Sequence, residues 1–507
     1  MKMKILTAEQ IRECDRFTIE NEPISSVQLM ERAAQACANW ISEHCKNHKK
    51  IAIFCGIGNN GGDGLAMARM LYLKGFDVDV FINTAQQKLS EDASVNFKKL
   101  RDFSGIDIKS FQEVDQYNFD SKTIIIDALF GTGLSRKIEV GYKCLIDKLN
   151  EIDNIKISID LPSGLFADTI AENDSTIFKA DYTLSFQCWK KSFLHTETGK
   201  YTGKVVILDI GLSKEYISNA ITNDFVIDDR LVEKNFKPRE DFSHKGTYGR
   251  ITIIAGSYGK IGAAVLSTKA ALKTGAGLTF TLAPRCGYEI LQTSCPEAMF
   301  IEGGNQFVSQ FEIEKDSVCG IGPGLGTEPE TEKNFLQFLK EYSEPLILDA
   351  DALNIISRDE KNIKLIPQKS IITPHPKEFE RLFGSTADSF QRVELARKKA
   401  SELQIYIILK DHHTQVITPE GKVFYNITGN SGLAKGGSGD ILTGILTSFL
   451  AQGYSEENTG VLGVWFHGKA ADMAAGKHSK EAMLPTDVIS EFGNVFDELN
   501  KRISPKL

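Results

Sequence analysis

Residues 430–444, NSGLAKGGSGDILTG, decide how the rest of the chain is read. Small and polar residues come first. The chain then turns through Gly436, Gly437, Ser438 and Gly439 and enters the apolar ILTGILTSFLA. That is a glycine turn feeding the first turn of a buried helix. Glycine admits positive φ angles and lets backbone pass close to a ligand. The unpaired amides of a helix N-terminus suit a phosphate or a developing anion. Asp440 stands at the start of this helix, where its carboxylate serves either as a cap or as a base. A plain cap does not need so many glycines beside it.

Upstream of this turn the chain reads as a series of strands that end in polar groups. GRITIIAGS (249–257) is a strand, GKIGAAVLSTKAALKTGAG (259–277) a glycine turn and a small-residue helix, and LTFTLAP (278–284) the next strand. CGIGPGLG (319–326) is a strand end rich in glycine, and PLILDADALN (345–354) places Asp349 and Asp351 at another. SIITPHPKEFERL (370–382) gives a strand, a stiff turn holding His375 between two prolines, and a helix. A lone histidine is otherwise more often a surface or core residue. IYIILKDHHT (405–414) ends in Lys410, Asp411, His412, His413 and Thr414, which either face nucleotide phosphates or cap a strand in solvent. QVITPEGKVFYNIT (415–428) reads as a hairpin turned at Glu420–Gly421. Strands alternating with helices predict a parallel sheet covered on both faces.

The first half repeats the theme. Residues 7–45 read as two helices separated by Pro23, the first capped by Thr7 with Gln10 completing a capping box. IAIFCG (51–56) is a buried strand, followed by GIGNNGGDGLAMARML (56–71), read as a glycine loop and a helix. Strand, glycine loop and helix is the phosphate-binding arrangement of doubly wound sheets, although many such loops are only tight turns. Asn59, Asn60 and Asp63 add polar groups that packing does not require. DVDVFIN (77–83), TIIIDALFGTGLSRK (123–137) and IKISIDLPSGL (155–165) are further strand-like runs. Two of them end in an aspartate, Asp127 or Asp160, before a small-residue turn. Ligands gather beyond the C-terminal strand ends of parallel sheets. Asp127, Gly131, Thr132, Gly133, Asp160 and Ser163 are therefore expected to converge with the Asn59–Asp63 segment. DYTLSFQ (181–187) and KVVILDIGL (204–212) form the far edge, and periodicity fades around 215–245, the best domain boundary.

Composition narrows the classes of function. At 507 residues there is room for two or three domains, and 42% hydrophobic with 25% charged residues describes an ordinary globular protein. A net charge of −8 argues against a general nucleic-acid binder. No apolar run has the length of a membrane span, and MKMKILTAEQIRECDR turns polar too soon for a signal peptide. Nine cysteines without a CxxC pair fit reduced thiols and a cytoplasmic location.

The ordered motifs carry a resemblance. GNNGGDG, DALFGTGLSR and DLPSG, with TAEQIRECDR and PISSVQLMERA before them, resemble the epimerase domain of the NAD(P)H-hydrate repair enzymes. KGTYGRITIIAGS, GAAVLSTKAALKTGAG, GPGLG, LDADALN, TPHPKEFERL and GGSGDILTG resemble their ribokinase-like dehydratase domain. The resemblance implies an α/β protein of two domains: a Rossmann-like doubly wound sheet over 1–220 and a ribokinase-like α/β sandwich over 221–507. It implies epimerisation of the R and S hydrates of NADH and NADPH, and ADP-dependent dehydration of the S form to NAD(P)H, AMP and phosphate.

The same motif matching implies the residue roles. Asn60, Asp127 and Ser163 correspond to a potassium site. Asn59, Asn60, Gly61, Gly62 and Asp63 would hold the hydrate, together with Gly131, Thr132, Gly133, Leu134, Ser135, Arg136, Lys137 and Asp160. In the second domain Ala264, Gly324, His375 and Asp440 match hydrate-binding positions. Lys410, Asp411, His412, His413, Thr414 and the Gly436–Gly439 turn match nucleotide-binding ones, with ADP (ATP is the alternative) and Mg2+. Two positions depart from the family pattern. Asp411 stands where the family usually has glycine, which puts a carboxylate near phosphates, and Arg32 stands where asparagine is common.

Hydroxide is a poor leaving group, and phosphorylating the C6 hydroxyl of the hydrate solves that problem. Asp440 is expected to take the hydroxyl proton while the glycine-turn amides stabilise the transferring phosphoryl group. Asp160 is expected to do the acid/base work of epimerisation, with Asp127 and potassium ordering the loop. Two rival readings stand beside this: a ribokinase-like kinase for a vitamin-precursor alcohol with a passenger N-terminal domain, and a non-enzymatic dimerisation or RNA-associated scaffold. A homo-oligomer is expected, although the small-residue helix at 262–277 fits core packing equally well. No nucleic-acid or membrane partner is expected.

Overall fold

The computed structural model describes residues 3–83, 88–117, 119–171 and 175–503. They fall into two units, Lys4–Thr222 and the chain from Asn223 onward, to which Met3 also belongs.

The first unit is built on strands β1 (Lys50–Cys55), β2 (Asp77–Ile82), β3 (Asp107–Lys109), β4 (Ile124–Ala128), β5 (Lys156–Ile159), β6 (Tyr182–Phe186) and β7 (Lys204–Leu208). All pair in parallel, in the order β3-β2-β1-β4-β5-β6-β7. Residues of β1 alternate between two cores. Ile51, Ile53 and Cys55 join one cluster, and Ala52 and Phe54 the other. Burial on both faces explains why IAIFC is apolar throughout. Helices α1 (Ala8–Asn21) and α2 (Ser26–His44) each open with a capping box, Thr7 with Gln10 and Ser25 with Gln28.

The strand order reverses between β1 and β4, whose neighbouring register pairs Ile51 with Ile124. Connections leaving their carboxyl ends diverge there and open a crevice, as in dinucleotide-binding folds. One expected loop is helical instead. Asn59 to Gly64 already belong to α3 (Asn59–Leu73), so only Gly56 to Gly58 turn. A Cβ on Gly61 would stand 1.8 Å from the Gly56 carbonyl oxygen, so its hydrogen lets the helix start against the strand end. Tertiary packing outweighs glycine's poor helix propensity here.

The second unit holds β8 (Asp224–Ile227), β9 (Arg250–Ile254), β10 (Leu278–Ala283), β11 (Met299–Glu302), β12 (Val318–Ile321), β13 (Ile347–Leu348), β14 (Ile371–Ile372), β15 (Tyr406–Leu409), β16 (Gln415–Ile417) and β17 (Val423–Asn426). They run β8-β17-β16-β15-β14-β13-β12-β9-β10-β11. Pairing is parallel from β11 to β15, and the β16–β17 hairpin is antiparallel, with Gly421 at φ 79° in its turn. The hairpin read at 415–428 thus adds antiparallel pairs at this end of a largely parallel sheet.

Helices used below are α4 (Ile261–Thr274), α5 (Pro376–Phe383), α6 (Ser389–Leu403), α7 (Ser438–Ala451) and α8 (Glu456–Ala482). The small residues of α4 serve the core. A Cβ on Gly444 of α7 would lie 2.2 Å from the Ser267 carbonyl oxygen and 2.9 Å from the Ala270 Cβ, so the two helix backbones touch there. No helix among the described residues is long and apolar enough to cross a membrane, and all nine cysteines are free.

Candidate active sites

The crevice of the first unit is a cleft of about 520 Å3 beyond β1, β4 and β5. Asn59, Asn60 and Asp63 from the N-terminal end of α3 line it, as do Gly131 to Arg136 and Asp160. Gly61, Gly62 and Lys137 do not. Gly61 is pressed on Gly56 and Gly62 on the Met30 sulfur, so both face the packing of α3 rather than the cleft.

Asp160 is a non-glycine residue at φ 64°. Such a conformation costs roughly 1–3 kcal/mol and persists where the surroundings impose it. Its Oδ2 accepts from the Thr132 N–H at 2.8 Å, and its Oδ1 lies 3.0 Å from Lys190 Nζ. Lys190 is only 1% exposed yet lines the cleft, and its Nζ also donates to Ser185 Oγ (2.6 Å) and to the Phe186 carbonyl (3.1 Å). Burial alone would raise the Asp160 carboxyl, but Lys190 and the Thr132 bonds outweigh it and hold the group below the ordinary aspartate range. Asp160 therefore rests ionised.

Two other carboxyls in the cleft go the opposite way. Burial, with Asp160 next, raises Asp15 to about 7. Burial, Asp160 and Asp15 push Asp63 well above its ordinary value. Of the three acids, the one in direct contact with the buried ammonium is the one held low. Neither Asp15 nor Lys190 was singled out by sequence reading. Asp15 lies within the helical pattern of ECDR, and CWKKSF carries no motif that marks one lysine for burial.

Asp127 is fully buried beneath the cleft rather than on its wall. Its Oδ1 accepts from Ser163 Oγ (2.6 Å) and Leu129 N (3.1 Å), and its Oδ2 from Ser163 N (2.8 Å) and Ser158 Oγ (3.0 Å). Ser163 Oγ in turn accepts from Phe130 N at 2.9 Å, so the pair ties the ends of β4 and β5 together. Burial still raises Asp127 to about 6. Asn60 differs: its side-chain oxygen and nitrogen are both buried without a hydrogen-bond partner. Such orphaned groups are rare and suit a bound ligand, ion or water.

The second unit holds a cavity of about 690 Å3 between the Gly436–Gly439 turn, the end of β15 and α8. Lys410, Asp411, His412, Thr414, Gly436, Ser438, Gly439 and His375 line it. Gly437, at φ 100°, is the residue before α7 and bends the chain into the helix. His413 turns away, its Nδ1 3.0 Å from the Asn426 carbonyl. Burial, then His412, lowers it to about 4. Ala264 is wholly buried in the core, and neither it nor Gly324 nor Asp440 lines this cavity.

Asp440 occupies the first turn of α7, beside an ion pair set behind Gly439. Lys410 Nζ lies 2.7 Å from Asp349 Oδ1 and 3.8 Å from Glu378 Oε2, while Asp349 Oδ2 accepts from Thr443 Oγ1 at 3.1 Å. A Cβ on Gly439 would stand 3.3 Å from Asp349 Oδ2 and 3.5 Å from Lys410 Nζ. Burial would raise Asp349, but Lys410 holds it below its ordinary value. Burial would lower Lys410, but Asp349 and Glu378 hold it above. Asp440 is raised to about 6 by burial and by Asp349. His375 caps α5: its Nδ1 accepts from Lys377 N (3.1 Å) and Glu378 N (3.3 Å), which leaves the proton on Nε2, 3.4 Å from Glu378 Oε1.

The carboxylate departure at Asp411 has a local answer. Its Oδ2 meets Arg392 Nη1 of α6 at 3.4 Å, and its Oδ1 accepts from the His412 N–H at 2.7 Å. The other departure, Arg32, pairs with Glu22 at 2.9 Å and does not line the cleft. Sequence reading also missed His467 of α8. It is 9% exposed on the cavity wall, with Nε2 unpartnered, and burial, with Lys410 next, lowers it to about 4 and keeps it neutral.

Fold and sites together define a class: an α/β enzyme with a Rossmann-ordered sheet and, in a separate unit, a kinase-like sheet whose glycine-turned helix faces a nucleotide-sized cavity. Residues 251–494 match the family described as NAD(P)H-hydrate dehydratase, and residues 26–192 the family described as YjeF-related protein N-terminus. The chain is 32% identical to the bifunctional NAD(P)H-hydrate repair enzyme of Moorella thermoacetica, over 99% of this chain and 98% of that one. It is 31% identical to that of Thermofilum pendens, over 95% and 94%. A solved ADP/ATP-dependent NAD(P)H-hydrate dehydratase from Bacillus subtilis, co-crystallised with ATP and Mg2+, is 29% identical over 54% of this chain and 98% of its own, with a TM-score of 0.49. The chain belongs to the family of bifunctional NAD(P)H-hydrate repair enzymes.

Proposed function

We propose that this chain returns hydrated NADH and NADPH to use. Its first unit interconverts the R and S hydrates, and its second dehydrates the S form with ADP, giving NAD(P)H, AMP and phosphate. The observation that carries the reading is that each unit has its own cleft, with Asp160 on the wall of the first and Asp349 and Asp440 beside the glycine turn of the second, in a chain that matches bifunctional repair enzymes along its whole length. A lone kinase with a passenger domain, or a scaffold, would not need both.

In the second unit Lys410, His412 and Thr414 with the amides of Gly436–Gly439 hold the nucleotide phosphates, and Mg2+ bound with them would screen their charge. Asp440, raised to about 6, is ionised near neutral pH and matched to take the C6 hydroxyl proton as that oxygen attacks the β-phosphate of ADP. AMP leaves. The phosphate then departs from C6 as the C5 proton is lost, which restores the dihydropyridine.

In the first unit Asn59, Asp63 and the Gly131–Arg136 loop hold the hydrate, and Asp160 provides a fixed negative charge beside it. Potassium suits the neighbouring oxygen donors. The orphaned Asn60 Oδ1 gives it a free ligand, with Asp127 and Ser163 supplying charge and loop geometry. Bound there, it would supply positive charge that orders the loop.

The test is to incubate the full chain with mixed R and S hydrates, with and without ADP, and follow NAD(P)H. Complete consumption with ADP supports the reading. A plateau at half removes the epimerase, and no ADP-dependent NAD(P)H at all removes the dehydratase.

A further inference from the structure

The most unusual charge in the first unit is a lysine. Lys190 is 1% exposed, and its Nζ sits among Asp160 Oδ1 at 3.0 Å, Ser185 Oγ at 2.6 Å and the Phe186 carbonyl at 3.1 Å. Lysine is almost never fully buried unless paired. A structural pair would be expected in the core. This one forms part of the wall of the cleft, against the carboxylate held at φ 64°.

We propose that Lys190 is the proton donor and acceptor of the epimerase site, with Asp160 as its counter-ion. This rests on the epimerase reading of the first unit and assigns it a second catalytic residue.

The atoms balance as follows. An Nζ–H proton passes to the C6 hydroxyl oxygen while the ring nitrogen's lone pair forms the C6=N bond. The C6–O bond breaks and water leaves. Asp160 then faces a cationic ring and a neutral amine, where its negative charge is most useful. Water adds to the opposite face of C6, its proton returns to Nζ, and the pair is restored with no net change. An ionised Asp160 has no proton to give at the start, whereas an ammonium does. Asp15 and Asp63 also face the cleft, but burial and the neighbouring carboxylates raise both, and neither makes the close contact with Lys190 that Asp160 makes at 3.0 Å.

The experiment uses the full-length protein, because ADP-dependent dehydration of pure S hydrate in the second unit reports on the same preparation. Lys190→Arg keeps the positive charge but holds its proton too tightly to release it. Lys190→Ala opens space for a small primary amine. Positioned acid–base groups contribute roughly 100-fold or more. Both variants are expected to lose about that much R-to-S conversion with hydrate KM changed less than about threefold and dehydration unchanged. Ethylamine is expected to restore Lys190→Ala in proportion to the amine added. Lys190→Arg within about threefold of the parent rate would make the lysine a positioning residue and overturn the proposal. So would a folded Lys190→Ala that ethylamine does not rescue. A parent chain with no R-to-S conversion overturns the epimerase reading itself, before any variant is measured.

Discussion

At the scale of single residues, the two clefts use burial in opposite ways. Asp160 and Asp349 each keep their charge because a lysine is within 3.0 Å, whereas Asp440 has no such partner and is raised to about 6. A base must be ionised to act, so dehydration should fall tenfold per pH unit as pH drops below about 6, measured on S hydrate at saturating ADP. Asp440→Asn should abolish NAD(P)H formation while the hydrate still binds. Asp411 gives a second prediction. Arg392→Ala would remove a positive charge from beside Asp411, and, with the nucleotide phosphates bound as proposed, KM for ADP should rise by about tenfold. Asp411→Gly in that background should restore it. If the double variant is as weak as the single, the pair does not act through charge. The identity of these candidates was largely legible in the sequence, since motifs name residues. Their ionisation was not, because it depends on Lys190 and Lys410, which arrive from other strands.

At the scale of elements, glycine had two meanings that sequence alone does not separate. NNGGDG reads as a phosphate-type loop, yet most of it is the first turn of α3, pressed onto β1 and β4. The stretch GGSGD behaves as read, with Gly437 at φ 100° delivering the chain into α7. The helix pair α4–α7 supplies the test. Gly444→Ala places a methyl about where the Ser267 carbonyl lies and should cost about 1–3 kcal/mol, read as a lower denaturant midpoint with a proportional loss of dehydration. An unchanged midpoint would mean that the helices separate freely and that the small-residue face of α4 is not there for this contact.

At the scale of the whole molecule, each unit has its own sheet and its own hydrophobic clusters, and each carries a complete cleft. With a cleft in each unit, the hydrate is expected to pass from one site to the other through solution. A mixture of Asp160→Ala and Asp440→Asn chains should therefore consume both R and S hydrates completely, although neither variant does so alone; failure of the mixture would show that the product must be passed within one chain. The sequence by itself determined the alternation of strands and helices, the apolar run of each buried strand, the caps and the polar strand ends. Those follow from local periodicity and from residue types placed beside glycine. Only the tertiary structure decided the reversal of strand order between β1 and β4, the saturation of Asp127 by Ser158, Ser163 and Leu129, the orphaned amide of Asn60 and the burial of Lys190 against Asp160. The reason is that charge state and hydrogen-bond satisfaction depend on neighbours far away in the chain, and no local pattern records them.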